Sequence, residues 1–159
     1  MISSFPDWWE RLALAVAAGA VIGLNRDLKN KPAGVRTHAL VAIGSALLTL
    51  TGLEMAARDG TPPSASVSRI IQGIITGIGF LGAGVIIRGA QSRVHGLTTA
   101  ASIWIAAAMG IGAGAGLVPL VGVALALTLA VLVLGGPFER FAHRFLGRWR
   151  PDWVDPSEE

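Results

Sequence analysis

Between positions 96 and 138 the chain carries no charged residue. One helix needs roughly 17–25 mostly apolar residues to cross the hydrocarbon core of a bilayer, so this stretch is too long for a single crossing. Glycines at 112, 114 and 116, followed by Pro119, supply a breaker in its middle. The stretch reads as a tight hairpin of two membrane helices, over 97–114 and 117–134. Composition points to the same solvent. Only 14% of residues are charged, against about 25% in a soluble domain, too few to cover a water-exposed surface. The 21 glycines lie inside apolar runs, where membrane helices tolerate them.

Three further apolar segments, about 8–24, 37–53 and 70–87, complete an all-α polytopic membrane protein of five transmembrane helices over residues 1–137. The first is short, and Trp8 and Trp9 extend it as interfacial anchors. Charge placement orients it. With Arg26, Lys29, Lys31 and Arg36 in the cytoplasm, Arg88, Arg93, Arg140, Arg144, Arg148 and Arg150 fall on that side. Arg11, Arg58 and Arg69 fall on the other, a bias of ten basic residues against three. Basic loops stay inside, so the N-terminus is expected outside and the C-terminus in the cytoplasm. A cleaved signal peptide is disfavoured, because Asp7 and Glu10 stand against Arg11 where a positive n-region belongs. After Pro137 the character changes. Phe138, Phe141, Phe145 and Trp149 recur at helical spacing while Arg140, Arg144 and Arg148 step along another face. Residues 138–159 are therefore expected to form a basic amphipathic tail on the anionic leaflet, with an acidic end over 152–159.

The absence of cysteine excludes disulfides, thiolate metal sites and a Cys nucleophile. Gly77, Gly79 and Gly82 match the spacing of a dinucleotide fingerprint, but that motif needs a preceding strand and a downstream acid. No acidic residue occurs between Asp59 and Glu139. The glycines read instead as helix-packing positions: Gly73 with Gly77, then Gly79, Gly82 and Gly84, and Gly110 with Gly114. Packing within the chain is the favoured account, and contact between copies the alternative.

The polar residues gather at the cytoplasmic ends of the spans. Asn25, Arg26 and Asp27 close the first, Lys31 lies in the loop, and Arg36, Thr37 and His38 open the second. Arg88 ends the third, and Thr98 and Thr99 open the fourth. Helix N-termini carry partial positive charge and free N–H groups, and Thr37 and Thr98 are placed to cap them. Asp27 is expected to pair with Arg26, Arg36 or Lys31. The cluster is net cationic and suits an anion, against the plainer account of basic loops touching headgroups.

A magnesium path is poorly supported, since Mg²⁺ seeks carboxylates and retained waters and no span holds an acid at mid-membrane. Ser45, Thr49, Thr51, Gln72, Thr76 and Ser102 are expected to bond neighbouring helices, and Trp104 to pack in the core. The three histidines and the serines show no nucleophile signature. No enzyme activity, metal site or cofactor is implied, and no nucleic acid partner.

Four blocks resemble the MgtC/SapB family: Gly23-Leu24-Asn25-Arg26-Asp27; Lys31-Pro32-Ala33-Gly34-Val35-Arg36-Thr37-His38; residues 77–84; and residues 96–104, which include Thr98, Thr99, Ser102 and Trp104. The resemblance implies a bacterial inner-membrane protein of about five spans that serves adaptation to low magnesium. It further implies action by contact with other membrane proteins, ATP synthase among them, rather than by magnesium transport. Asp27 stands where the family has Glu, and Ser66 where an acid is frequent. The cytoplasmic domain that follows the last span in MgtC proper has no counterpart in the sequence up to residue 159. The function expected is non-enzymatic regulation of ion and energy homeostasis in the lipid bilayer, through other integral membrane proteins or a second copy. The alternative is a small transporter or channel for Mg²⁺ or an anion.

Overall fold

The computed structural model describes residues 7–60, 62–88 and 94–145. Five helices follow one another: α1 (Asp7–Leu28), α2 (Val35–Asp59), α3 (Pro63–Val85), α4 (Leu97–Gly114) and α5 (Val118–Phe145). Four of them, α2 to α5, are long and apolar enough to cross a membrane. α1, with 22 residues, is about 33 Å long at 1.5 Å per residue, and carries charges at both ends.

Close contacts fix the directions. Gly19 meets His38 and Gly23 meets Val35, so α1 and α2 run antiparallel. Gly110 meets Ala42 and Gly114 meets Ala46, so α2 and α4 run parallel. Ile70 reaches Gly52 from α3, and Val121 reaches Gly112 from α5, each antiparallel to its neighbour. The end of α1, the start of α2, the end of α3 and the start of α4 therefore share one end of the bundle, the Arg26 end.

Small residues let these backbones approach. The core joins Ala15, Ala18 and Ile22 of α1, Ala42 and Ala46 of α2, Met109 and Ala113 of α4, and Val121 of α5. A second cluster sets Ile74 and Ile78 of α3 against Ile103 and Ala107 of α4. α4 is the most enclosed helix, whereas α3 and α5 turn most of their surface outward.

Local chemistry sets the helix ends. Gly116 adopts φ +77°, Leu117 N–H donates to Gly112 O, and Gly116 N–H donates to Ala113 O. This is a Schellman stop, and Pro119 falls in the first turn of α5, where its missing N–H costs nothing. The expected hairpin forms there. Asn30 (φ 50°) ends α1 in the same way, with Lys31 N–H on Arg26 O and Asn30 N–H on Asp27 O. Asn tolerates this left-handed geometry better than most residues.

Three expectations need correction. The third span ends at Val85, and Ile87–Arg88 pairs with Val94–His95 as a two-stranded antiparallel ladder, so the fold is helical except for this hairpin. Its β-branched residues suit an extended backbone. α5 runs through Pro137 to Phe145, so no break separates the last span from residues 138–145. A proline removes one N–H and need not end a helix whose other turns stay bonded. The tail beyond, with its acidic end over 152–159, lies outside the described residues. Lastly, Thr49 and Thr76 donate to carbonyls one turn back in their own helices, not to neighbouring ones, because that acceptor is already in reach.

Candidate functional site

The helix pair α1–α2 is pressed together by glycine. A Cβ on Gly19 would lie 2.5 Å from His38 O, and one on Gly23 2.5 Å from the Val35 Cα. A Cβ on Gly34 would overlap the Asp27 carboxylate. That contact matters, because Asp27 Oδ2 accepts a 3.0 Å hydrogen bond from Val35 N–H. Asp27 thus caps α2 from across the loop, while Gly34 supplies no side chain. The expected ion pair of Asp27 is replaced by this cap, which offers a carboxylate to the positive end of a helix.

The same approach buries a polar knot among α1, α2 and α4. Arg26 is 5% exposed and His38 fully buried. Arg26 Nη2 donates to Thr99 Oγ1 at 2.8 Å. His38 Nδ1 lies 2.9 Å from Gly34 O and Nε2 2.9 Å from Ser102 Oγ. A carbonyl only accepts, so Nδ1 carries the proton, and a neutral imidazole then accepts from Ser102 at Nε2. The Ser102 hydroxyl also lies 2.8 Å from Thr99 O, so its single proton serves one acceptor at a time. Two buried atoms have no partner among the described residues, Arg26 Nε and Asn25 Oδ1. Among the described residues no carboxylate lies within ion-pair reach of Arg26, and the ion pair is Arg58–Glu54, 3.0 Å, on the exposed face of α2.

Of the expected cluster, Arg26, His38 and Thr99 meet in the knot, and Asn25 and Asp27 border it. Lys31, Arg36, Thr37 and Thr98 are exposed. Thr37 and Thr98 cap nothing: α2 is preceded by Gly34 and α4 by Gly96, each without a side-chain cap. Gly96 instead takes φ +93°, a geometry that favours glycine. Arg88 sits in the ladder, and Arg93 lies outside the described residues. Ser102 bonds a neighbouring helix as expected, at His38 of α2, but was not counted in the cluster; its i, i+3 spacing from Thr99 on α4 was the available signal.

The expected packing glycines divide. A Cβ on Gly114 would lie 2.7 Å from Ala46 O, and one on Gly110 2.8 Å from Ser45 Cβ, so both sit in the α2–α4 contact. Gly82 is in ordinary contact with Ala100. Gly73, Gly77, Gly79 and Gly84 have nothing within 4 Å among the described residues, so packing among those residues does not account for them. Gly73 and Gly77 line an open groove of about 430 Å³ between α3 and α2, with Gly44, Leu40 and Leu81. Trp104 is 47% exposed and faces outward beside Ile71 and Ile75, because Ala and Gly fill the α4 face that the core requires.

A bundle in which four helices are long and apolar enough to cross a membrane, with Arg26, His38, Thr99 and Ser102 buried at one end, has the form of a polytopic membrane protein. The MgtC family profile matches residues 12–141, and the chain belongs to that family. It is similar to Protein SrpB of Synechococcus elongatus, 48% identical over 63% of this chain and 59% of SrpB. Protein SapB of Bacillus subtilis is 42% identical over 67% of this chain and 47% of SapB. "Putative magnesium transporter YhiD" of Escherichia coli K12 is 41% identical over 77% of this chain and 57% of YhiD. The matched region thus spans about half the length of these curated relatives. No solved structure matches the chain.

Proposed function

We propose that this protein is a non-enzymatic regulator of ion and energy homeostasis in a bacterial inner membrane, serving adaptation to low magnesium. In this reading α1 is the fifth crossing, the N-terminus is outside, and the Arg26 end faces the cytoplasm with the C-terminus. It acts by helix contacts with other integral membrane proteins or with a second copy. The observation that carries the reading is the α3 face. Gly73 and Gly77 border a groove that the chain leaves open, and small residues at such spacing let a foreign helix approach closely.

The second reading is a small transporter for Mg²⁺ or an anion. The buried polar knot favours it, since polar groups inside a bundle mark ion paths more than helix faces do. The name of YhiD ties that relative to magnesium. One experiment separates the two. Purified protein in liposomes is assayed for Mg²⁺ and phosphate flux, alone and as Asp27→Ala and Arg36→Ala. In parallel, Gly73→Cys is crosslinked in native membranes, the chain having no cysteine of its own. The regulator reading expects no flux, and a defined crosslinked partner that Gly77→Leu abolishes. Saturable flux lost in either charge variant would replace it with the transporter.

A further inference from the structure

Arg26 presents an electrostatic problem that the described residues do not solve. A guanidinium carries five N–H donors, and at 5% exposure this one has a single hydrogen bond among the described residues, to the neutral Thr99 hydroxyl. Its Nε is buried without a partner. Burying a cation without a counter-charge is costly, and the nearest carboxylate in sequence, Asp27, is committed to Val35 N–H.

Thr99 places the guanidinium against the first turn of α4. That turn begins at Gly96, which has no side chain to cap it, and the first α-type bond is Ala100 N–H to Gly96 O. The N–H groups of Leu97, Thr98 and Thr99 have no acceptor among the described residues. α2 differs at the same end of the bundle, because Asp27 occupies its N-terminus. Lys31 and Arg36 add exposed positive charge nearby in the chain. A buried cation without a counter-charge among the described residues, and a bare helix start whose Thr99 Oγ1 lies 2.8 Å from Arg26 Nη2, ask for one group with several anionic oxygens.

We propose that Arg26 and the N-terminal turn of α4 form a binding site for a phosphate group. A tetrahedral oxyanion engages guanidinium N–H and helix N–H groups together, by charge-assisted bonds stronger than neutral ones. The source is either inorganic phosphate or the headgroup of an anionic phospholipid, both present where a helix bundle meets water. The proposal rests on the membrane placement of this end, but not on partner contacts or on flux.

The test uses the full chain in a phosphate-free maltoside detergent. Inorganic phosphate and a short-chain phosphatidylglycerol are titrated separately, with the unfolding temperature and native mass spectrometry as readouts. Wild type is expected to bind one equivalent. Binding of inorganic phosphate names the free anion as sufficient, and binding of phosphatidylglycerol alone names the headgroup. Arg26→Gln should weaken binding about thirtyfold or more, as for loss of one member of a buried charge pair. Arg69→Gln makes the same charge change at the opposite end and should leave affinity unaltered. If Arg26→Gln does not fold, Arg26→Lys decides: it keeps the charge without the planar fork, and should bind about tenfold more weakly. No binding of either ligand by wild type overturns the site, as does wild-type affinity in the folded Arg26 variant.

Discussion

A single methyl group separates the two kinds of glycine in this bundle. At Gly110 it would overlap the Ala42 carbonyl of α2, and at Gly77 it would meet nothing within 4 Å. Gly110→Ala should therefore lower stability by about 1–3 kcal/mol through overpacking. Gly77→Ala should leave it unchanged or raise it by up to about 1 kcal/mol, through helix propensity. Unfolding of the two variants in one detergent compares them, and equal losses would contradict the assignment of contacts. Ser102 makes the second residue-scale case. Its removal strips His38 Nε2 of its partner while the ring stays buried, a loss of about 1–3 kcal/mol. Ser102→Ala should thus unfold earlier than wild type, whereas Thr76→Ala, whose hydroxyl bonds only its own helix, should not.

Helix starts are held by means that no residue type announces alone. α2 begins where Asp27 reaches back to Val35 N–H, and Asp27→Ala should cost about 1 kcal/mol, as for the loss of an N-cap. Asp27→Asn should recover most of it, since an amide oxygen still accepts. α4 begins at Gly96, whose φ of +93° and contact with the Val85 carbonyl leave no room for a side chain. Gly96→Ala combines strain with overlap, and a loss of more than about 1–3 kcal/mol is expected. Thermal unfolding of Gly96→Ala beside Gly135→Ala, which has open space around it, tests that ranking. Arg11 guards the other end of α4. Its Nη1 donates to Gly114 O at 3.2 Å, placing a cation at a helix C-terminus, where it is favoured.

For the whole molecule, the expected outcome concerns sidedness. Because the chain has no cysteine, Asn30→Cys and Asp59→Cys each introduce one thiol, and both positions are exposed at opposite ends of the bundle. In intact cells a membrane-impermeant maleimide should label Asp59→Cys and spare Asn30→Cys until the membrane is opened. The reverse pattern would invert the orientation drawn from the Lys and Arg counts.

Hydropathy made α2 to α5 legible as apolar runs of spanning length, which have few other uses in water; α1 forms where a helix was expected, with charges at both ends. The stop between α4 and α5 was equally legible, because glycine and proline act locally. The continuation of α5 past Pro137 and the strand pair at Ile87–Arg88 were not, because sequence marks a weakened helix turn but not whether neighbouring turns hold. At the site, the residue types of the polar cluster could be named and its geometry could not. Arg26 and Arg36 look alike as basic residues beside a span, yet one is buried against Thr99 and the other is exposed.

The same limit explains the glycines. Gly73 with Gly77 and Gly110 with Gly114 share one spacing, and spacing places residues on a helix face without saying what that face meets. The sequence by itself determined the apolar character of the helices and the stop between α4 and α5, because those follow from transfer energies and backbone preferences read a few residues at a time. Only the tertiary structure decided which small residues admit a neighbour, which hydroxyl serves His38, and that Arg26 is buried with no counter-charge among the described residues. Those depend on where three helices far apart in the chain cross, and close packing makes that crossing a property of the assembled bundle.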